Sequence, residues 1–102
     1  MDNKYKNLFN EATFTDKGIV TKVLSETEST KHVLFCMKED TELSEHTSTS
    51  EAVVTVISGK GIFTLEGEEI QMVPGIFIPM EPNAKHAIKA EEDLIFVLGI
   101  TG

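Results

Sequence analysis

Short apolar segments separated by polar turns make up most of this 102-residue chain. Segments rich in Val, Ile, Thr and Phe run from Gly18 to Ser25, from Lys31 to Met37 and from Ala52 to Ser58. Each has the length of a strand, and β-branched and aromatic residues favour strands over helices. The first half of the chain is therefore predicted to form β-structure.

The second half continues the same pattern. The segment from Gly61 to Val73 predicts a hairpin that turns at Glu66-Gly67, where glycine supplies a positive φ. Further short strands are expected at 76–78, 86–90 and 94–100, and no long segment has helical periodicity. This spacing of strands and turns predicts one all-β domain, a barrel or sandwich over residues 18–102. Residues 1–17 are predicted to form an arm, a short helix or a strand.

Charge and composition narrow the choice of partners. The formal charge is -8, and all nine basic residues are lysines. Without arginine the chain is poorly equipped to bind nucleic-acid phosphates, so no nucleic-acid partner is expected. The single cysteine, Cys36, cannot form an internal disulfide, and no apolar run is long enough for a bilayer. We expect a cytoplasmic protein with no signal peptide and no membrane partner.

Two of the three histidines are candidates for a functional site. An isolated histidine in a β-protein is usually a surface residue or a hydrogen-bonded core residue. His46 and His86 differ from His32 because each lies where a polar loop leads into a strand. Side chains at such junctions are placed at the mouth of a barrel, where ligand sites are common.

The spacing around His46 is also informative. A pattern of glycine, five residues, His-x-His, three residues, glutamate, six residues and glycine can be aligned on Gly59. The alignment places His46 at the first histidine, Ser48 at the second, Ala52 at the glutamate and Asp40 at the leading glycine. This segment resembles a degenerate form of the first motif of the cupin superfamily, which consists of small jelly-roll β-barrels.

A second spacing supports the resemblance. The second cupin motif runs glycine, five residues, Pro-x-Gly, two residues and histidine, and Gly75 and His86 have that full separation. Glu81 takes the place of the proline and Asn83 that of the inner glycine. The resemblance covers roughly residues 18 to 100, so the fold is expected to be a jelly-roll type barrel or sandwich.

The resemblance implies a metal centre and a homodimer. Cupin metal centres typically use three histidines and a glutamate around iron, manganese, nickel, copper or zinc. Here alanine cannot ligate and serine is a poor ligand, which leaves His46 and His86 as the candidate metal ligands. Cupins of this size commonly pair through their sheets, and Val53, Thr55 and Ile57 are expected to face such a partner.

The first functional hypothesis is a small-molecule pocket at the barrel mouth, with no defined catalytic activity. Its predicted lining residues are His46, Ser48, Phe77 and His86. The alternative is a metal-dependent enzyme of the dioxygenase or isomerase type that uses His46 and His86. Cupins include enzymes, sugar-binding modules and storage proteins, so the fold alone selects neither hypothesis, and no catalytic residue is assigned.

Overall fold

A computed structural model describes residues 4–16 and 18–102. Over these residues the chain forms one helical turn followed by nine strands. These are α1 (Leu8–Glu11), β1 (Ile19–Glu26), β2 (Thr30–Met37), β3 (Glu42–His46), β4 (Glu51–Ser58), β5 (Gly61–Leu65), β6 (Glu68–Met72), β7 (Phe77–Met80), β8 (His86–Ala90) and β9 (Leu94–Thr101).

The strands form two antiparallel sheets. The five-stranded sheet has the order β1-β2-β9-β4-β7, and the four-stranded sheet has the order β3-β8-β5-β6. The strand pairs are antiparallel in both sheets. Except for the β5–β6 hairpin, consecutive strands after β2 lie in opposite sheets, and the two sheets pack face to face around one core. This arrangement confirms the predicted all-β, jelly-roll type single domain.

The core lies between the two sheets and follows from side-chain alternation along the strands. Every second residue of β4 is buried in this core, and the even-numbered residues of β9 face the same core. Phe35 of β2 stacks on Phe96 of β9, with ring centroids 4.8 Å apart. The buried members of this inner core are Met37, Ala52, Val54, Val56, Phe63, Met72, Ile78, Met80, Ile88, Ala90, Leu94 and Phe96.

A second, smaller cluster lies on the outer face of the five-stranded sheet. Leu34, Cys36 and Ile95 are buried there because the segment before β1 crosses over them. That segment contributes Leu8, Ala12 and Phe14 to the cluster. It belongs to the predicted arm, of which residues 1–3 and 17 lie outside the described residues.

The arm is held by polar contacts as well as apolar ones. The side chain of Asn7 caps α1 by accepting from the amides of Phe9 and Asn10, at 3.0 and 3.3 Å. Glu11 pairs with Lys22 of β1 at 2.6 Å, and this hydrogen-bonded ion pair lowers the pKa of the Glu11 carboxyl. Within residues 4–16 and 18–102 no helix is long and apolar enough to cross a membrane.

The sequence pattern missed one strand, β3. Its five residues contain a single aliphatic side chain, Leu43, so they show no apolar alternation. Pairing with β8 supplies the backbone hydrogen bonds that make this polar segment a strand. β7 ends two residues beyond the strand predicted at 76–78 and includes Pro79, which is tolerated because β7 is an edge strand of its sheet.

Gly59 is the turn position with the strictest steric requirement. It has φ +93°, and a Cβ atom there would lie 2.0 Å from the carbonyl oxygen of Asp93. Gly67 has a similar φ of +85° but no neighbouring atom within 4 Å of the Cβ position. A side chain at either position would have to adopt the left-handed backbone, but only at position 59 would it also overlap a neighbouring atom.

We predict that Gly59→Ala destabilises the protein much more than Gly67→Ala. The left-handed backbone costs about 1–2 kcal/mol in either variant. Only Gly59→Ala adds an overpacking penalty, on the order of 1–3 kcal/mol, against the Asp93 carbonyl. Urea unfolding of both variants measures the difference, and equal losses of unfolding free energy would contradict it.

Candidate functional site

His46 and His86 lie side by side at one end of the barrel. They are direct cross-strand partners on β3 and β8, and their ring centroids are 4.2 Å apart at an interplanar angle of 62°. His86 is only 9% exposed, whereas His46 is exposed at the rim. The strand pairing thus brings together the two histidines that the sequence singled out.

An irregularity in β3 allows this pairing. Leu43 opposes Ile88 and His46 opposes His86, so three steps along β3 match two steps along β8. A regular strand would put Leu43 and His46 on opposite faces. The extra residue of this bulge turns His46 to the same face as Leu43, which is the inside of the barrel.

Hydrogen bonds to the backbone set the tautomer of both rings. Nδ1 of His46 lies 2.9 Å from the carbonyl oxygen of Ser44, and Nδ1 of His86 lies 2.9 Å from that of Ala84. A carbonyl oxygen only accepts, so each Nδ1 must carry the hydrogen and donate it. In the neutral ring Nε2 is then an unprotonated acceptor.

Both Nε2 atoms are available to a ligand. Neither has a hydrogen-bond partner among residues 4–16 and 18–102. No buried polar side-chain atom in this part of the chain lacks a partner, so Nε2 of the largely buried His86 must be open to the cavity. The pair therefore presents two acceptors to whatever enters the barrel.

The histidine pair lies between two adjoining cavities. The deeper one, about 240 Å³, is lined mainly by apolar core side chains of both sheets, and the outer one, about 200 Å³, is lined by residues at the mouth; neither is closed to solvent. Four residues line both: His46, Met80, His86 and Leu98. The deep cavity adds Phe35, Leu43, Val54, Phe63, Ile88 and Phe96, and the mouth cavity adds Ser48, Ser50, Ala52, Glu81, Ala84 and Ile100.

Packing and loop contacts hold His86 in place. The ring of the fully buried Phe63 lies parallel to the His86 imidazole, with centroids 6.0 Å apart and an angle of 2°. The carboxylate of Glu66 accepts a hydrogen bond from the amide of Lys85, directly before His86. The amide of Asn83 donates to the carbonyl of Ser48 at 2.6 Å and joins the two loops of the mouth.

The turns around the site keep the backbone that the motif glycines would have. Asp40 and Asn83, which stand at two glycine positions, have φ values of 69° and 68°. Asp and Asn are the residues other than glycine that best tolerate this left-handed region. The backbone scaffold of both motifs is thus present although the glycines are replaced.

Of the four residues predicted to line a pocket, His46, Ser48 and His86 lie at the mouth cavity and Phe77 does not. Ala52, at the motif's glutamate position, also lines this cavity. Phe77, predicted to line the pocket, instead lies on the outer face of the five-stranded sheet and is 62% exposed. The reason is strand alternation, because the inward positions of β7 are Ile78 and Met80.

The sequence reasoning did not identify Glu81 and Ser50 as lining residues. Glu81 was treated only as the substitute for a motif proline, yet it lies at the mouth with Ser50. The strand predicted at 76–78 ends two residues before β7 does, so no predicted element placed Glu81 at the mouth. Met80, the last residue of β7, lines both cavities.

His32 and Cys36 lie away from this site. Both are on the outer face of β2, and His32 Nδ1 is 3.3 Å from the hydroxyl of Ser25. Cys36 is buried under the arm as a small apolar residue. Their alternation with the inward-facing Phe35 excludes both from the barrel interior.

The donor set does not fit a tight transition-metal centre. Within residues 4–16 and 18–102 no group of three or more His, Cys, Asp or Glu side chains is placed to hold a metal. Glu51, next to the vacant glutamate position, is exposed, and β4 has regular pairing from Glu51 to Val56. Regular pairing directs Glu51 away from the face of Ala52, so no carboxylate stands at the vacant glutamate position. Glu81 lines the mouth, but among the described residues it does not form a ligand cluster with the two histidines.

Comparisons with known proteins agree on the fold. The family described as "Cupin domain" matches residues 33–99 of the chain. An RmlC-like cupin protein from Desulfovibrio desulfuricans has a similar structure, with a TM-score of 0.87 and 26% identity over 98% of this chain and 97% of that one.

Two further structures resemble the chain over almost its whole length. One is a protein of unknown function from Streptococcus pyogenes (SPY1581), with a TM-score of 0.87 and 23% identity over 99% of this chain and 89% of that one. The other is an uncharacterized protein with a double-stranded β-helix domain from Klebsiella pneumoniae, with a TM-score of 0.87 and 18% identity over 98% and 90%. No curated protein matches the chain.

We predict that Ala52→Glu creates a metal site that the native chain lacks. The new carboxylate would face the mouth beside His46 and His86 and complete the three protein ligands that a zinc-type site needs. The variant is expected to bind about one equivalent of Zn²⁺ or Co²⁺ and to be thermally stabilised by it. Titration calorimetry and the absorption of the Co²⁺ complex measure this.

The matched control is Val53→Glu, which places the same carboxylate one residue away on the outer face. It is expected to bind no more metal than the native chain. Stoichiometric binding of metal by the native protein, purified without a histidine tag and measured by elemental analysis, would contradict our assessment of the donor set.

Proposed function

This chain belongs to the cupin family, and we propose that it binds a small molecule at the mouth of its barrel without needing a metal ion. The observation that carries the proposal is the histidine pair, whose free Nε2 atoms lie at the boundary of an apolar cavity. An apolar chamber with a few convergent polar groups is the usual composition of a small-molecule site.

The dimensions of the cavities limit the ligand. Each is smaller than the roughly 300–1,000 Å³ of a site for a drug-sized molecule. The two adjoin at the histidine pair, so a ligand that reaches from the mouth to Phe63 occupies both. We propose a compact ligand with an apolar part inside and a polar part at His46 and His86.

The alternative function is a metal-dependent enzyme of the dioxygenase or isomerase type. One observation favours it: Nδ1 of His46 and of His86 each donates a hydrogen bond to a backbone carbonyl oxygen. The same arrangement orients histidines that ligate metals. The missing carboxylate weighs against it, because a dication needs charge compensation that two neutral imidazoles cannot supply. We therefore place the metal-free pocket first.

We predict that benzyl alcohol, as a neutral probe of suitable size, binds in these cavities. Its binding is expected to shift the NMR signals of residues lining the cavities, such as Ala52, Ala84 and Ile88. His86→Ala is expected to weaken it about five- to tenfold, because one hydrogen bond contributes about 1 kcal/mol. Amide chemical-shift titration measures both effects.

His32→Ala is the matched control, since it removes a histidine from the outer face and is expected to leave the affinity unchanged. Circular dichroism of each variant separates loss of binding from loss of folding. An absence of any shift with the native protein, or equal affinity in the His86 and His32 variants, would overturn the proposed pocket.

We also propose that the protein is a homodimer formed through the outer face of the five-stranded sheet. This face carries the exposed Phe77 next to a groove of about 280 Å³. Gly99 provides part of the groove's depth, because a Cβ there would lie 3.3 Å from the His32 ring. A projecting ring and a groove on one face are self-complementary, as a two-fold dimer requires. Val53 and Thr55, which were expected to face a partner, line this groove.

Phe77→Asp is predicted to dissociate the dimer, because it places a charge where the ring would be buried by a partner. Sedimentation velocity at micromolar concentration measures the change. Phe9→Asp is a well-matched control, since Phe9 is also 62% exposed but lies outside the groove. A native monomer, or a Phe77→Asp variant that remains dimeric, would contradict the proposal.

A cytoplasmic location is proposed as well. It is supported by Cys36, a free cysteine buried beneath the arm, since reducing compartments keep thiols unpaired.

The composition of the chain, which lacks arginine, supports the absence of a nucleic-acid partner.

A further inference from the structure

We infer that the ligand of this pocket carries a protonated amine at the mouth and an apolar body in the deep cavity. The inference rests on the proposed function and narrows the chemical class of its ligand. It follows from the polar groups at the mouth, most of which accept hydrogen bonds, and from the sign of the charge there.

The histidine pair contributes two of the acceptors. Because Nδ1 of each ring donates to a backbone carbonyl, Nε2 of the neutral ring can only accept.

Glu81 gives the mouth its charge. Apart from the histidines, it is the only ionisable side chain among the described residues that line the two cavities. Its carboxylate is acceptor-only, and it lies at the exposed rim, where an ammonium group keeps part of its hydration. Glu81 lines only the mouth cavity, so its carboxylate supplies negative charge and an acceptor at the rim, while the histidines supply acceptors further in.

Three backbone donors near the mouth are already used. The amide of Asn83 donates to the carbonyl of Ser48, and that of Ala84 to the carbonyl of Glu81 at 3.3 Å. The amide of Ser50 donates to the hydroxyl of Ser48 at 3.3 Å. The hydroxyls of Ser48 and Ser50 can both donate and accept. Among the described residues no lysine lines either cavity, so a carboxylate or phosphate would find no lysine partner there.

Long-range electrostatics act in the same direction. The chain has a formal charge of -8 and no arginine that could clamp an anion bidentately. A negative protein attracts cationic ligands and repels anionic ones, an effect that salt reduces. The apolar walls of the deep cavity, from Phe35 to Phe96, then select an amine with a hydrophobic body.

Three probes of similar size test the inference: benzylamine, benzyl alcohol and benzoate. Each carries a phenyl ring, and near neutral pH the three head groups are a cation, a neutral hydroxyl and an anion. Chemical-shift titration of the native protein is expected to give the tightest binding for benzylamine, at least about tenfold tighter than for benzoate, with benzyl alcohol between them. Added salt is expected to reduce the difference.

Glu81→Gln isolates the rim charge. It is expected to weaken benzylamine binding about two- to fivefold, which is typical of an exposed ion pair, and to leave benzyl alcohol unchanged. Glu51→Gln is the matched control, because this exposed glutamate lies on a neighbouring strand outside both cavities. It is expected to change neither affinity.

The outcomes distinguish a failure of the amine inference from a failure of the proposed pocket. If benzyl alcohol binds but benzoate binds as tightly as benzylamine, the amine inference is wrong and the pocket remains. Equal effects of Glu81→Gln and Glu51→Gln on benzylamine would also overturn the inference. If none of the three probes binds, the proposed function itself is overturned.

Discussion

The face-to-face packing of the two sheets is the interaction on which the rest of the structure depends. Every strand contributes at least one apolar side chain to the interior between the sheets, and the stacked rings of Phe35 and Phe96 lie within it. At the mouth the same packing is incomplete, because Ala52 and Ala84 are too small to fill the space between the sheets. The cavity therefore continues the space between the sheets beyond the packed core. Its walls are held by the same side-chain contacts that stabilise the fold.

Most of the fold could be predicted from the sequence, because its strands are β-branched and its turns contain glycine. The strand β3 was missed since its stability comes from pairing with β8, a partner far away in sequence. The histidine pair could be predicted from motif spacing, which reflects the barrel's fixed strand lengths. Phe77 was misplaced because a face assignment requires the register of β7, and Glu81 was overlooked because loop geometry is not encoded in periodicity.

The backbone is left-handed at all four glycine positions of the two motifs, whereas only two of the four ligand positions hold a histidine. Asp40 and Asn83 have the positive φ of Gly59 and Gly75 although they are not glycines. A substitution at a ligand position changes one side chain, whereas the loss of a turn would move a whole loop. The shape of the site therefore depends on its turns and strands, and its reactivity depends on a few side chains.

The bulge in β3 has an evolutionary consequence. His46 faces the cavity only because β3 contains one residue more than its partner between the two paired positions. Deleting one codon there would restore a regular strand and turn the imidazole to the solvent, without altering any residue of the pocket itself. Substitutions of lining residues change this site gradually. A deletion of one residue in β3 instead removes the imidazole from the cavity in a single step. Related chains that differ in length at this point should therefore differ in ligand as well.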